Sequence, residues 1–548
     1  MIFVFASAGL LSISTLLHFW RLGSNPPGFF SDESANAYNA YCVTQTGTDQ
    51  YGTKLPLFFC GNEYRDPVII YSMVPFVKTF GLLKWAARFP SALFHILASI
   101  AFAFLVMEYC HNEWLAVLIS FCFSIVPWGF VVSRTAVSGY TPMLLGIILG
   151  WLWALLAFRK QSCWYACASG VAWAVPMYSY IAGHAWSPVL LICLTLSFLP
   201  ALRKKSKVVF ILFFAYAVAL SPMVLNASRS PGLLTRRFKE VSVYETADST
   251  IETLSRIVTR YAEYYSPGFL FLHGDNNLRQ NSGFEGELFL FLSPLAVAGL
   301  YEILRSFRTQ PQSRFLFLGL LTYPMAAAWT HERMHSGRTI GGVIVWMLIA
   351  AIGANCLWRR RAIGRALVVV ASIFGAIEIA FYLKDYFVEY PIRSRNEFRA
   401  PLIEALEDCL RITSTNETLY ISSSTFAPWG HNVGPDFRPF YYTDILFFGR
   451  IDPLTYQRAG IPPDKISLFS GTTHHSGVLL RCNMRMVQVG RRIDTVTGQP
   501  QPYIFDDNVE PIPPGAELLE KKPVYGPFQY EIYRVNSFST TDARRGTP

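Results

Sequence analysis

The stretch between residues 26 and 38 reads Pro26-Pro27-Gly28-Phe29-Phe30-Ser31-Asp32-Glu33-Ser34-Ala35-Asn36-Ala37-Tyr38. It follows a first apolar segment of membrane length and opens a loop of roughly sixty residues. The Pro-Pro-Gly sequence ends the preceding helix, and Ser31 or Asp32 can cap a new one. Asp32 and Glu33 are therefore predicted at a helix N-terminus near the membrane surface, where carboxylates are electrostatically favoured. The pair either only caps this helix or belongs to a functional site.

Apolar residues dominate the chain and are unevenly distributed. Of its 548 residues, 52% are hydrophobic and 15% charged, and the mean hydropathy is +0.29. Long runs nearly free of charge recur up to residue 385, whereas the remainder has the composition of a soluble domain. We therefore predict a polytopic α-helical membrane domain over 1–384 and a C-terminal soluble α/β domain over 385–548.

The apolar runs predict about eleven membrane-spanning helices. The first, from Ile2 to about Trp20, lacks a basic start and a small-residue cleavage site, which indicates a retained helix rather than a signal peptide. The other predicted spans lie near residues 90–107, 114–132, 140–158, 164–182, 185–201, 208–225, 287–304, 315–330, 339–357 and 366–383.

Basic residues cluster in four short connections between these spans. With eleven spans, all four clusters fall on one side, which the positive-inside rule assigns to the cytoplasm. Much of the net charge of +10 thus sets topology and does not indicate nucleic-acid binding. The loops at about 21–89 and 226–286 and the C-terminal domain are then predicted on the extracytoplasmic face of a bacterial plasma membrane. The clusters are Arg159 and Lys160; Arg203, Lys204, Lys205 and Lys207; Arg305, Arg308 and Arg314; and Arg359, Arg360, Arg361 and Arg365.

Four of the ten cysteines fall in the predicted external regions. Cys42 and Cys60 lie in the first loop, and Cys409 and Cys482 lie in the C-terminal domain. An even count in each region suits one disulfide in each, formed in an oxidising compartment.

Several short motifs accompany the Asp-Glu pair. The first loop continues with Gly52-Thr53-Lys54-Leu55-Pro56-Leu57-Phe58 and Pro67-Val68-Ile69-Ile70-Tyr71, and a helix then starts at Ala86-Ala87-Arg88-Phe89-Pro90-Ser91. Ser133-Arg134-Thr135-Ala136 ends the third span, and the second loop holds a segment over 266–281 followed by Gly286-Glu287-Leu288. In combination these motifs resemble the GT-C glycosyltransferases, in particular the branch of protein O-mannosyltransferases and lipid A aminoarabinose transferases. The resemblance covers roughly residues 1–385.

The resemblance implies a reaction and a donor. Enzymes of this branch use a polyprenyl-phosphate sugar, so we expect transfer of one sugar at the non-cytoplasmic face, with inversion and with no required cofactor. A divalent metal stays open, as do the sugar and the acceptor, which is a protein, a lipid or a glycan. By this resemblance Asp32 is the base and Glu33 orients or assists it. If the acceptor is itself a phosphate, Asp32 only positions it.

The chemistry of glycosyl transfer requires the same groups independently. A carboxylate takes the proton from the attacking hydroxyl, and cations hold the donor phosphate and stabilise it as it leaves. The candidate phosphate contacts, all at predicted external helix ends or loops, are Arg88, Arg134, His273 and Arg338. Each arginine can equally extend towards lipid headgroups, and His273 can order a turn.

Candidates for contact with the sugar are Asp275, Glu287 and Tyr71, of which the two carboxylates are equally consistent with solvated loop positions.

His331-Glu332-Arg333-Met334-His335 matches the pattern H-E-x-x-H. On a helix, two histidines at i and i+4 bind zinc, and the glutamate between them acts as a base. Against a membrane zinc protease, the match straddles the end of an apolar span, and Ser336-Gly337 soon breaks any helix. The GT-C resemblance places a basic, donor-facing loop here instead.

The C-terminal domain reads as a small α/β fold. Residues 396–412 form an amphipathic pattern, and strands are predicted at 419–421, 478–480, 486–489 and 530–533. His431, His474 and His475 are isolated loop residues that indicate no metal site, and the polar tail beyond Ser537 is predicted to be disordered.

Two other classes of protein share part of these features. A transporter or flippase of lipid-linked sugars has similar composition and external cations, but paired Gly/Pro-broken spans or internal repeats are absent from the sequence. A non-catalytic assembly protein would retain its function without Asp32.

Overall fold

The computed structural model of the chain describes residues 2–59, 65–202, 206–229, 242–243, 249–360, 362–422, 424–425, 428, 442–469, 473, 475–488, 504–506, 509, 511–524, 526 and 528–536. Internal contacts divide the chain into two units. The first comprises Met1–Pro26, Pro56–Thr79 and Leu83–Ser394, and the second comprises Pro27–Leu55, Phe80–Leu82 and Arg395–Pro548.

The described residues form α-helices through most of the chain and strands near its C-terminus. In chain order the helices are α1 (Ile2–Phe19), α2 (Ser31–Thr46), α3 (Pro67–Phe80), α4 (Lys84–Cys110), α5 (Glu113–Ile125), α6 (Pro127–Ser133), α7 (Tyr140–Lys160), α8 (Cys163–Ala174), α9 (Ile181–Leu202), α10 (Ser206–Arg229), α11 (Thr250–Glu263), α12 (Leu292–Ser306), α13 (Pro311–Thr322), α14 (Met325–Ala328), α15 (Gly342–Arg359), α16 (Ala362–Lys384), α17 (Tyr390–Arg393), α18 (Ala400–Ile412), α19 (Tyr442–Phe448) and α20 (Pro453–Ala459). The strands are β1 (Thr418–Ser422), β2 (Ile466–Phe469), β3 (Gly477–Cys482), β4 (Arg485–Gln488), β5 (Ile504–Asp506), β6 (Glu517–Pro523) and β7 (Gln529–Val535).

Six helices of the described part are long and apolar enough to cross a bilayer, or seven if the bent pair α5 and α6 is one span. The six are α4, α7, α9, α10, α15 and α16. The spans predicted near 164–182, 287–304 and 315–330 correspond to the shorter helices α8, α12 and α13, so the number eleven stays a prediction. The chain is an integral α-helical membrane protein, as predicted.

Proline and glycine shape the membrane helices. Pro127 starts α6 after an extended Val126, and the axes of α5 and α6 differ by 57° because proline cannot continue a helix without losing a hydrogen bond. Where α12 crosses α15, a Cβ on Gly299 would lie 1.9 Å from the carbonyl oxygen of Ile349, so only glycine lets the two backbones approach this closely.

The segment between α11 and α12 is held by main-chain hydrogen bonds. It contains a π-helical turn over Gly268–Leu272. The N–H of Glu287 donates to the carbonyl of Phe269 at 3.1 Å, and that of Leu288 donates to Leu270 at 2.7 Å. These bonds bring the two ends of the loop over 270–288 together.

The second unit is built on a five-stranded sheet of order β2-β1-β3-β7-β6, with β4 and β5 in a separate ladder. Strand β1 runs parallel to β2 and β3, whereas β7 is antiparallel to β3 and β6. Every residue of β1 and β3 is buried, as expected of central strands, whereas β6 carries charges on an exposed edge. The predicted helix and all four predicted strands are present, and the fold class is confirmed.

Helix α2 belongs to this second unit. Its residues Tyr38 and Cys42 are buried in one apolar cluster with Leu402 and Leu406 of α18 and with the central strands. Gly28 precedes α2 with a φ of +69°, and a Cβ there would lie 2.2 Å from the carbonyl oxygen of Phe398. Glycine is therefore required where the chain enters α2.

The two units depart from the predicted boundary at residue 384. The first unit extends to Ser394, and Pro27–Leu55, predicted as an external loop of the membrane domain, groups with the C-terminal residues. The predicted disulfide between Cys409 and Cys482 is not formed: both thiols are free and pack in the apolar cluster that also contains Cys42, likewise free. Cys60, His431 and His474 lie outside the described residues.

Candidate functional site

The segment over 331–339 is not the helix that a zinc protease requires. Residues 331–334 form bends, Met334 has a φ of +52°, and a 3₁₀ turn begins only at Ser336. The two histidines therefore do not lie one turn apart on a helix, and the zinc-protease alternative is wrong. In the part of the chain that the structure describes, no group of three or more His, Cys, Asp or Glu side chains could hold a metal ion.

Arg338 is the centre of a charged cluster in this segment. Its guanidinium is largely buried, with 8% of the side chain exposed, and lies 2.6 Å from a carboxylate oxygen of Glu332, whose side chain is 58% exposed. The Nη1 atom of Arg338 donates to Thr330 Oγ1 at 2.8 Å. Nε2 of His335 lies 3.4 Å from the same Glu332 oxygen. A fixed cation thus faces an anionic side chain that reaches in from solvent.

Asp275 and Glu287 hold the neighbouring loop together. Glu287 is fully buried and accepts hydrogen bonds from the Asp275 N–H at 2.9 Å, from Asn281 Nδ2 at 3.1 Å and from the hydroxyl of Ser336. Asp275 accepts the N–H of Ser336 at 2.9 Å. Both carboxylates are buried, so the alternative of solvated loop positions does not hold. Their hydrogen bonds join the loop over 273–287 to the 3₁₀ turn that carries Arg338.

Burial is the main cause of the shifted pKa values in this cluster. It raises the pKa of Glu287 to about 8, helped by the charge of Asp275 and opposed by the hydrogen bond from Ser336. Burial raises the pKa of Asp275 to about 6 against the backbone hydrogen bonds that it accepts. Burial, with Arg338 nearby, lowers the pKa of His335 to about 3. His335 is therefore neutral at pH 7, and Arg338 supplies the positive charge.

The raised pKa of Glu287 predicts a pH-dependent stability. An unperturbed glutamate titrates near 4.5, so between about pH 4.5 and pH 8 the folded protein holds a proton that the unfolded chain has lost. Stability therefore falls as pH rises through this window. We expect the melting temperature in detergent to fall from pH 5 to pH 8.5 relative to that of Glu287→Gln. His335, whose pKa is lowered, acts in the opposite direction in both proteins. Asp275 and Glu285, with pKa values raised to about 6 and about 9, keep part of the slope.

The control for this experiment is Glu263→Gln, which removes a carboxylate that pairs with the exposed Arg333. Its melting curve should keep the wild-type pH slope. Parallel slopes for Glu287→Gln and wild type would show that Glu287 is ionised in the folded protein and would contradict the prediction.

Arg134 and Arg88 have backbone partners. The guanidinium of Arg134, fully buried, donates to the carbonyls of His18 at 2.7 Å and Trp20 at 2.6 Å, at the end of α1. Arg88, also fully buried, donates to the carbonyl of Pro26 at 2.7 Å. Since the last carbonyls of a helix lack partners within it, these arginines complete the C-terminus of α1 and the turn after it. We assign both to this structural role and not to the donor phosphate.

His273 and Tyr71 also lie in the first unit. His273 is exposed in the bend that follows the π-helical turn, and its N–H donates to the carbonyl of Gly268 at 2.7 Å. Tyr71, half-buried on α3, donates its hydroxyl to the carbonyl of Pro56 at 2.8 Å. His273 therefore stays a candidate for phosphate contact, whereas the Tyr71 hydroxyl orders the first loop.

In the second unit, the Asp-Glu pair occupies the first turn of α2, as predicted. The residue preceding the helix is Phe30, and its N–H donates to the Glu33 carboxylate at 2.9 Å. Ser31 and Asp32 are thus helical residues, and Glu33 rather than either of them makes the capping contact. Glu33 is fully buried, but Asp32 is only half-buried. Of the two acidic residues, Asp32 is the more exposed.

A buried ion pair lies beside this turn and was not predicted. Asp444, in α19, accepts a hydrogen bond from the Ser34 hydroxyl and lies 3.3 Å from Nη1 of Arg399. Burial raises the pKa of Asp444 to about 6 despite Arg399, and the nearby charge of Asp32 adds to the rise. Little in the sequence indicates this pair: Arg399 lies in the predicted amphipathic segment over 396–412, but Asp444 lies 410 residues from Ser34.

The structure resembles that of ArnT from Cupriavidus metallidurans bound to undecaprenyl phosphate, with a TM-score of 0.52 and 10% identity over 88% of this chain and 96% of that one. The apo structure of the same protein gives a TM-score of 0.52 and 10% identity over 96% of this chain and 97% of that one. Oligosaccharyltransferase AglB from Archaeoglobus fulgidus gives a TM-score of 0.48 and 12% identity over 77% of this chain and 63% of that one. Neither a protein-family profile nor a curated protein matches the sequence. The chain has the same fold as ArnT, which agrees with the resemblance that its motifs indicate.

Proposed function

We propose that this protein is a glycosyltransferase that moves one sugar, with inversion, from a polyprenyl-phosphate donor to an acceptor at the extracytoplasmic face of a bacterial plasma membrane. The observation that carries the proposal is the GT-C fold over 88% of the chain, shared with a structure that holds undecaprenyl phosphate. The half-buried Asp32 in the first turn of α2 supports it. The four basic clusters on one predicted side support the proposed orientation.

The proposed reaction is a single displacement. The acceptor hydroxyl attacks the anomeric carbon of the sugar as the bond from that carbon to the phosphate oxygen breaks, which inverts the configuration. Asp32 takes the hydroxyl proton, and the polyprenyl phosphate leaves with the bonding electrons. No cofactor is required for this step.

Arg338 is the proposed contact for the donor phosphate. Its guanidinium can donate to a phosphate oxygen in place of the exposed Glu332 carboxylate with which it pairs. His273, exposed in the neighbouring loop, is the second proposed contact. Arg88 and Arg134 are not included, since their guanidinium groups donate to backbone carbonyls.

The proposal is tested with purified full-length protein in detergent and a panel of radiolabelled polyprenyl-phosphate hexoses and pentoses, together with a membrane extract as acceptor source. We expect release of polyprenyl phosphate from one donor and transfer of its sugar to the extract. A nucleotide sugar serves as the donor control and should be inert. Binding without cleavage at any acceptor concentration would favour a transporter of lipid-linked sugars, and absence of binding to any lipid-linked sugar would refute the proposal.

A further inference from the structure

The residues on both sides of Asp32 are held by side chains from the C-terminal part of the second unit. The Ser34 hydroxyl donates to Asp444. The hydroxyl of Thr443 donates to the carbonyl of Ser31 at 3.3 Å. The guanidinium of Arg399 lies 4.9 Å from the ring centre of Phe30, the residue that precedes the helix. The turn that presents Asp32 is thus fixed at positions 30, 31 and 34.

We infer that Asp444 and Arg399 are positioning residues: they hold the first turn of α2 so that the Asp32 carboxylate is directed towards its substrate. This inference rests on the proposed function. It gives the C-terminal domain a part in catalysis.

The burial of the ion pair between Asp444 and Arg399 indicates that it does more than stabilise the fold. The side chains of Asp444 and Arg399 are 2% and 7% exposed, and withdrawing two charges from water costs roughly as much as their attraction returns. An apolar pair of similar size would pack there at least as well. In a charged pair, unlike an apolar one, the carboxylate can accept a hydrogen bond from the Ser34 hydroxyl, and the cation can lie against the Phe30 ring. It therefore specifies one geometry for the turn.

Small displacements of a base matter for catalysis. A shift of about 1 Å in a reacting group costs on the order of 100-fold in rate. Releasing the turn from Asp444 should therefore reduce the rate of the chemical step without weakening the binding of the donor.

The test compares two substitutions on α2 that each remove one buried hydroxyl contact with the C-terminal residues. Ser34→Ala removes the hydrogen bond to Asp444, whereas Tyr38→Phe removes the bond from the Tyr38 hydroxyl to the carbonyl of Ile451, 2.9 Å long. Both variants lose one hydrogen bond, so similar decreases in melting temperature are expected. We expect Ser34→Ala to lower kcat about 10- to 100-fold with the KM for the donor unchanged, and Tyr38→Phe to keep the wild-type kcat.

Two outcomes would overturn the inference. One is a kcat for Ser34→Ala equal to that of Tyr38→Phe, and the other is a rise in donor KM in place of the loss in kcat. Asp444→Asn is the second variant, and the double variant Ser34→Ala/Asp444→Asn should be no slower than the slower single variant, because Ser34 acts on the turn through Asp444. Failure of the wild-type protein to turn over any donor would instead refute the proposed function.

Discussion

Replacing Asp32 by asparagine is expected to lower kcat by about 10²- to 10⁴-fold with a hydroxyl acceptor, the usual contribution of a general base. Asparagine keeps the size of the side chain and its capacity to cap a helix but cannot take a proton at neutral pH. Asp32 is half-buried, whereas the Glu33 carboxylate accepts the N–H of Phe30. We therefore expect that Glu33 does not replace Asp32 as the base in this variant. Affinity for the donor should stay at the wild-type level. The measurement is single-turnover release of polyprenyl phosphate, with donor binding determined separately.

The matched control is Asp452→Asn. Asp452 also begins a helix of the second unit, where its carboxylate accepts the N–H of Thr455 at 2.8 Å. If Asp32 only stabilises the first turn of α2, both variants will retain wild-type kcat, and the assignment of a base will be contradicted. Retained activity of Asp32→Asn with a phosphate acceptor alone would show that such an acceptor attacks without a base.

The second large effect is expected at Arg338. Charge-assisted hydrogen bonds contribute about 1.5–3 kcal/mol each, so Arg338→Gln should weaken binding of undecaprenyl phosphate by roughly 10- to 100-fold. Glu332→Gln should act in the opposite direction, because the phosphate must displace the Glu332 carboxylate from the guanidinium. Because the Glu332 carboxylate is largely exposed, we expect this gain in affinity to be smaller than the loss in Arg338→Gln.

Binding is measured with labelled undecaprenyl phosphate on the full-length protein, and undecaprenol serves as the ligand that lacks the phosphate. Neither substitution should change the binding of the alcohol. Glu263→Gln is the control variant, since it releases Arg333 and leaves Arg338 paired. Wild-type affinity for the phosphate in Arg338→Gln would remove Arg338 from the donor site.

The apolar helices, the start of α2 and four of the strands could be predicted from local sequence patterns. The long apolar runs predicted α4, α7, α15 and α16, and Pro-Pro-Gly followed by polar residues predicted a helix start at residue 31. The alternation and length of the apolar patches predicted β1, β3, β4 and β7. The charged edge strand β6 was missed, because Glu517–Pro523 lacks the apolar alternation that marks a half-buried strand.

The partners of the functional residues could not be predicted in the same way. In sequence, an arginine at the end of a membrane helix is the same whether it contacts a phosphate or caps a neighbouring helix, so the motif alone predicts Arg134 as a donor contact. Most residues of helix α2 are buried, and many of these are small or polar, including Ala35, Asn36 and Asn39. It therefore shows no apolar stripe that would indicate a partner. Its neighbours Asp444 and Arg399 are remote in sequence, and no local pattern connects them to it.

The position of α2 in the second unit also sets an order of events during synthesis. Ser34 leaves the ribosome 410 residues before Asp444, which is roughly 20 to 80 seconds at usual translation rates of about 5–20 residues per second. Throughout this time Tyr38 and Cys42 lack the apolar neighbours that later bury them. The turn that carries Asp32 therefore reaches its final shape only after the membrane helices between the two segments have been made. A nascent chain that stops before residue 395 contains Asp32 but not the residues that orient it.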